Sequence, residues 1–347
     1  MEPVVAEITS ADSPGFAAAM VVRREFDAVD EPDDPPLPEE EWAGELFGPA
    51  THEPRRAWVA TLGGRPAGVL VAQRLLDGEN DGRAILELIV HPDLRRRGVA
   101  RTLLATGLPE LAEDGVDDVL GWPYDDSGNA LSARLGLTSR QDERCSRLRI
   151  ADVDEAQQRS WIHDAPGPAK GYRLVQWQGV CPDEHLTPFR QASDALADAP
   201  LDDMELATPP LTDEQVRERE EGWARRTWQA STSLVLAPDG GGAGMTQLFV
   251  APGRPQFGHQ GDTGVVAAHR GHALGRWLKA ANLAQARAAH PELAVVQTYN
   301  AQSNPWMLAI NVEMGFRPHR TFATYQGSLA GVVAALRPSR AATDAAI

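Results

Sequence analysis

The stretch "HPDLRRRGVARTLL", His91 to Leu104, leaves a short apolar strand, turns through three arginines and a glycine, and enters a helix. A turn of this kind directs several unpaired backbone N–H groups and the positive end of the helix dipole at one point. That point binds phosphate. Within it, Gly98 and Ala100 are small where an anion must approach the main chain, and Arg95, Arg96 and Arg97 offer charge-assisted hydrogen bonds.

A second stretch, "AHRGHALGRWLK" from Ala268 to Lys279, repeats the pattern with Arg270 in the place of Arg95, 175 residues later. Other features recur in the same register. "AWVATL" at 57–62 stands opposite "TSLVLA" at 232–237, Glu87 opposite Asp262, and Val90 opposite Val265. The acidic, proline-rich "DEPDDPPLPEEE" at 30–41 stands opposite "PLDDMELATPPLTDE" at 200–214. Agreement at several places in one register implies two copies of one structural unit.

Each copy reads as strand, helical region, hairpin, strand, long helix, strand, helix, strand, an α+β arrangement with a mixed sheet. In the first copy the spacing predicts a hairpin over 57–76, a strand at 84–90, a helix over 97–113, a short helix near 128–135 and a closing strand near 143–150. The second repeats this with a hairpin near 232–250, a strand at 261–266, a helix from Gly271 to Ala289, the strand "LAVVQTY", the helix "NPWMLAINVEMGF" and the strand "RTFATYQG". The expected division is therefore a first domain at 1–150, a partly helical linker at 151–170, a second domain at 171–335 and a tail at 336–347.

Composition narrows the function. The formal net charge of −16 opposes nucleic acid as the main partner, because phosphates are repelled over most of the surface, and favours a cationic small molecule. No apolar run reaches the roughly 20 residues of a membrane span, and the acidic start "MEPVVAEITSADS" is unlike a signal peptide, so no membrane partner and a cytoplasmic location are expected. Cys145 and Cys181 are the only cysteines, too few for a disulfide framework, and one bridge between them stays open at this stage. Histidines 259, 269 and 272 cluster around the second turn, where contact with a cofactor is a simpler role than metal binding, and no metal is expected.

Val90, Arg95, Gly98 and Ala100 match the pyrophosphate loop of the GNAT acetyltransferases: a valine, then Arg or Gln, two residues, Gly, one residue, Gly or Ala. The second loop, Arg270-Gly271-His272-Ala273-Leu274-Gly275, departs only in having Ala273 at the central glycine. The chain thus resembles a tandem pair of GNAT domains, most like the tandem acetyltransferases of actinobacteria, a group that includes mycothiol synthase. The resemblance implies two domains, each a mostly antiparallel twisted sheet flanked by helices. It implies acetyl-CoA as the donor, its pyrophosphate held by Arg95, Arg96, Arg97, Gly98, Val99 and Ala100 and by Arg270 through Gly275. Ile89, Val90, Val265 and Val266 would line the pantetheine and thioester path. Neither loop carries the lysine of a P-loop, so nucleotide hydrolysis fits poorly.

The family's later motif, Asn followed by Tyr and Gly-Phe, survives in the second copy as Asn304, Asn311, Gly315 and Phe316, with Asn replacing Tyr. In the first copy the positions read Asp125, Ser132, Gly136 and Leu137. Chemistry is therefore expected in the second copy, where Asn300 and Asn311 stand beside the thioester path, with Asn304 either on the cofactor or capping a helix.

Acyl transfer to an amine needs a proton acceptor, since an alkylamine with pKa about 10.4 is protonated at neutral pH. Asp262 and, equivalently, Glu87 sit three residues before the valine of each cofactor strand and could take that proton; each could equally belong to an ordinary ion pair. The general acid is unassigned, with Tyr299 and Tyr124 as substitutes for the lost tyrosine. The reading at this stage is acetyl transfer to a primary amine of a small, cationic molecule by direct attack. A non-catalytic acyl-CoA-binding protein with decayed centres and a protein-lysine acetyltransferase are the alternatives. Neither the acceptor nor the oligomeric state follows from the sequence.

Overall fold

The computed structural model describes residues 1–48 and 50–337, so all of the expected tail from residue 338 on lies outside the described residues. In chain order the first half runs β1 (Val4–Glu7), α1 (Pro14–Asp30), α2 (Glu39–Phe47), β2 (Arg55–Leu62), β3 (Arg65–Leu75), β4 (Arg83–Val90), α3 (Val99–Glu113), β5 (Asp118–Gly121), α4 (Asp126–Arg134) and β6 (Thr138–Arg149). After α5 (Glu155–His163), inside the expected linker, come β7 (Arg173–Gln178), α6 (Asp183–Ser193), α7 (Asp213–Arg225), β8 (Gln229–Leu236), β9 (Gly242–Val250) and β10 (Phe257–Val265). The chain continues with α8 (Leu274–Ala289), β11 (Val295–Ala301), α9 (Pro305–Met314), β12 (Arg317–Ser328) and α10 (Leu329–Leu336). The order is that of a repeated α+β unit.

Two compact units form, and they do not follow the halves at 1–150 and 171–335. The first takes residues 1–39, 50–141 and the described residues from Phe322 on; the second takes residues 40–48 and Asp142–Thr321. In the first unit β1, β2, β3 and β4 are antiparallel neighbours, β4 and β5 run parallel, and Tyr325–Ser328 of β12 pairs antiparallel with β5. In the second, β7, β8, β9 and β10 are antiparallel neighbours, β10 and β11 run parallel, and Glu143–Arg149 of β6 pairs antiparallel with β11. In each unit the strand that follows the parallel pair therefore comes from the other sequence copy. A strand's edge accepts any partner of matching register, so a repeat does not by itself decide which copy supplies the closing strand.

The core of the first unit lies under α3. Val99, Leu103, Leu104, Leu108 and Leu111 recur at helical spacing, are buried, and meet Trp58, Leu70 and Val119 of the sheet and Leu329 and Val332 of α10. In the second unit, Leu283 and Ala286 of α8 pack with Leu248, Val250, Val296 and Phe316. A further cluster joins Phe189 of α6 and Val216 of α7 to Leu234 and Met245 of the sheet. Cys145 and Cys181 are buried free thiols, so no bridge joins them. Burial, helped by Glu220, pushes the Cys181 thiol up to about 12, which keeps it protonated and unreactive.

Candidate active site

Each unit opens a slot at the same place in its sheet. β5 accompanies β4 only from Arg83 to Ile85, yet β4 continues to Val90. Likewise β11 accompanies β10 only from Phe257 to His259, yet β10 continues to Val265. On β10 the register with β9 also shifts between Gln260 and Thr263, a bulge that places Gly261 and Asp262 outside the regular pleat. Where the parallel partner stops, one edge of the cofactor strand is left without a neighbouring strand.

Hydrogen-bond alternation tells which groups face that edge. The His91 N–H donates to the Ala67 carbonyl at 2.9 Å and the Val266 N–H to the Ala243 carbonyl at 3.0 Å, both inside the sheet. Their neighbours Val90 and Val265, opposite Gly68 and Gly244, therefore turn N–H and C=O into the slot. Ile89, opposite Val69, is paired inward again. Of the four residues expected along the thioester path, Val90 and Val265 turn main-chain groups to the edge without a neighbouring strand. Ile89 and Val266 do not, because their amides are spent within the sheet.

The loops follow directly. A short 3-10 turn, Pro92–Leu94 or Ala267–His269, precedes the arginine, and α3 and α8 begin at Val99 and Leu274 with no side chain capping them. The first-turn N–H groups at 99–101 and 274–276 are thereby available to an anion. Two positions in each loop take left-handed backbone: Arg96 (φ 63°) and Gly98 (φ 84°) in the first, Gly271 (φ 77°) and Ala273 (φ 56°) in the second. A Cβ at Gly98 or Gly271 would meet nothing within 4 Å, so glycine serves backbone conformation there. Gly275 instead makes room for Ile310 of α9, 3.2 Å from where its Cβ would stand.

The arginines divide into two roles. Arg95 donates from Nε to the Val90 carbonyl at 3.4 Å and pairs with Asp30; Arg270 donates from Nε to the Val265 carbonyl at 3.0 Å and from Nη2 to Asp198 at 2.6 Å. Both were expected on the pyrophosphate, but their charge is used to tie the loop to its strand and to an acid at the end of a helical segment. Arg96 and Arg97 are exposed and make no hydrogen bond or ion pair among the described residues, so the first loop carries two unpaired cations. The second has none in those places: Arg276 pairs with Glu313 at 2.8 Å, and His272 lies with Nδ1 2.9 Å from the Arg270 carbonyl. His269 meets the Tyr172 hydroxyl at 3.0 Å while His259 stacks elsewhere, so the three histidines serve different partners.

The two carboxylates differ in the same way. Glu87 accepts from Arg23 Nη1 at 3.0 Å, and Arg23 also holds Asp27 at 2.7 Å. Burial works against the Arg23 charge, but Glu87 and Asp27 outweigh it and hold the guanidinium above its ordinary range. Glu87 is thus the structural partner of a buried cation. Asp262 makes no hydrogen bond or ion pair among the described residues. It is open to solvent yet crowded by protein, and the lost hydration holds its carboxyl above the ordinary range, with Arg219 acting against that shift.

The asparagines are placed as follows. Asn311 is buried and donates from Nδ2 to Asn300 Oδ1 at 2.7 Å, while its own Oδ1 is buried without a partner. Asn304 accepts the Met307 N–H at 3.1 Å and so caps α9, which uses the side-chain oxygen expected on the cofactor. Asp125 caps α4 in the equivalent way, 2.7 Å from the Gly128 nitrogen.

One residue of the cleft is not legible from the motifs. His259, the last residue of β10 beside β11, stacks on Trp228 with ring centroids 5.5 Å apart and planes 13° apart. Burial, with Arg254 and Arg147 adding to it, pushes its imidazole down to about 3, so the ring is neutral near pH 7, and its Nε2 is buried without a partner. Behind the second loop, burial alone lowers Lys279 of α8 to about 7, with Nζ 5.5 Å from the Phe316 ring centroid.

A profile of the acetyltransferase (GNAT) family matches residues 19–135. Among solved structures, a tandem GNAT protein from the clavulanic acid biosynthesis pathway superimposes with a TM-score of 0.77 at 25% identity, covering 97% of this chain and 100% of its own. Residues 19–135 thus carry a GNAT acetyltransferase domain, and over nearly its whole length the chain is similar to a tandem GNAT protein. A GCN5-related N-acetyltransferase from Sphaerobacter thermophilus shares the fold at 16% identity, with a TM-score of 0.65 over 94% of this chain and 96% of its own. No curated protein matches this chain by sequence. Slot, uncapped helix and loop occur once in each unit, and the first set lies within the residues that the GNAT family profile matches. No helix among the described residues is long and apolar enough to cross a membrane.

Proposed function

We propose that this GNAT protein transfers an acetyl group from acetyl-CoA to a primary amine of a small, cationic molecule, and that the second unit does the chemistry. The observation that carries this is the bulge on β10: among the described residues it leaves Asp262 without a hydrogen bond or ion pair three residues before the slot-facing amide of Val265, whereas Glu87 in the first unit is tied to Arg23. In both units the residues fit coenzyme A. Main-chain amides at an uncapped helix start would hold the pyrophosphate, and a strand edge without a partner would receive the pantetheine arm.

In this reading Asp262, directly or through a water, takes the proton of the incoming ammonium. The freed nitrogen attacks the thioester carbonyl, and the oxygen that gains charge lies against the Val265 N–H. Collapse breaks the C–S bond, expels the coenzyme A thiolate and forms the amide, and the second proton shed by the nitrogen passes to that thiolate. A thiol with pKa about 8.5 leaves readily near neutral pH, so transfer proceeds without the family's tyrosine. The exposed Tyr299, whose hydroxyl accepts from Gln297, is the remaining donor at that end of β11. The acidic segments at 30–41 and 200–214 favour a cationic acceptor. The first unit, with two free arginines and a sequestered glutamate, binds the coenzyme without turning it over.

The test is thiol release from acetyl-CoA with a panel of primary amines, with the acetylated product identified by mass. Amine-dependent release with one N-acetyl product supports the reading. Release at the hydrolysis background with every amine, together with tight coenzyme binding, would make the chain an acyl-CoA-binding protein. Acetylation of lysine in added proteins alone would move the activity to protein substrates.

A further inference from the structure

Residues 40–48 lie in the first sequence copy but belong to the second compact unit. α2 reaches the C-terminal end of α7 so closely that a Cβ on Gly44 would stand 1.9 Å from the Arg225 carbonyl oxygen, and Glu45 meets Arg226 at 3.5 Å. Glu41 is buried. Its carboxylate accepts two bonds from Arg254, at 3.1 and 2.6 Å, and one from the Trp228 indole N–H at 2.5 Å. Trp228, just before β8, stacks on His259 and lies 5.4 Å from Phe249, which in turn meets Trp223 of α7 at 4.8 Å. Trp223 and Trp228 both keep part of their surface exposed.

His259 marks the narrow end of the slot, where β11 leaves β10. A buried carboxylate–guanidinium pair adds little stability over an apolar pair of the same size. What it supplies here is direction, because an indole has a single N–H and a carboxylate fixed by a guanidinium leaves that N–H one place to point. We infer that residues 40–48 form a wall of the second unit's active cleft, Glu41 acting as a positioning residue that orients Trp228 and, through it, His259 against the acceptor. The inference rests on the second unit being the catalytic one.

Two variants test it: Glu41→Gln, which keeps an acceptor but removes the charge, and Trp228→Phe, which keeps a ring but removes the N–H. With acetyl-CoA and cadaverine, tyramine or lysine amide as acceptor, each should raise the acceptor KM about fivefold, the worth of one hydrogen bond. The kcat and coenzyme A Kd should stay within about twofold, and the double variant should be no worse than the poorer single one. An unchanged acceptor KM in both variants overturns the inference while leaving the acetyltransferase reading intact. Should the wild type acetylate none of these amines, that reading fails, and the proton resonance of His259 Cε1 then decides the positioning. Stacking under Trp228 should shift it upfield, and Glu41→Gln should move it. An identical resonance in wild type and variant overturns the inference.

Discussion

The two units contain the same loop and spend it differently. In the first, two arginines of the loop face solvent without a partner among the described residues, and the carboxylate beside the slot is consumed by Arg23. In the second, the loop has no free arginine, while the bulge leaves Asp262 unpaired and His259 neutral at the slot's narrow end. A cradle rich in charge holds an anion well without doing anything to it. A proton acceptor crowded out of water is costly to keep and is found where a proton has to move.

The sharpest way to break this contrast is to poison each cradle in turn. Ala273→Asp places a carboxylate where the pyrophosphate would lie, and turnover should fall by at least about a hundredfold, the scale of one lost electrostatic stabiliser. Gly98→Asp should leave turnover within about twofold while calorimetry loses one coenzyme A binding event. The opposite pattern would transfer catalysis to the first unit.

The carboxylates come next. Asp262→Asn should lower kcat/KM by about a hundredfold where the carboxylate is ionised and the amine still protonated, and by less at high pH, where the amine is already neutral. In the wild type the raised carboxyl of Asp262 protonates first as pH falls, so activity should decline below that raised value; a loss uniform with pH would make the residue structural. Glu87→Gln should leave turnover alone and cost the first unit about 1–2 kcal/mol in denaturant unfolding, because Arg23 loses one of its partners.

A different signature is expected of Lys279→Met. The lysine's folded value, about 7, lies below the unfolded 10.5, so the unfolded chain binds the proton more tightly and burial of the ammonium opposes folding. The gain in melting temperature from Met should therefore be full below about pH 7 and shrink as pH rises toward 10.5. The smallest effects sharpen the loop comparison: Arg96→Gly and Ala273→Gly each relieve a left-handed non-glycine residue and should stabilise by about 1 kcal/mol.

Much of the site was legible because it is local. The three arginines and Gly98 announce a turn, the recurrence at Arg270 announces its copy, and the valine five residues earlier names the strand that ends there. Hairpins, long helices and the α+β class follow from the same short-range periodicity. What the sequence could not show is where Arg95 and Arg270 point, because their partners Asp30 and Asp198 lie on other elements. The equivalence of Glu87 and Asp262 in register likewise hid that one has a buried arginine across from it and the other a bulge beneath it.

The sequence by itself determined that there are two α+β units, each with a glycine-containing turn at the mouth of a long helix, because strand, turn and helix signals act over a few residues. Only the tertiary structure decided that β5 and β11 each pair with the other copy's last strand and that Glu41 reaches Trp228. Those pairings depend on edges and buried polar groups finding partners, and a residue's distance along the chain says nothing about which partner lies within a few ångströms of it.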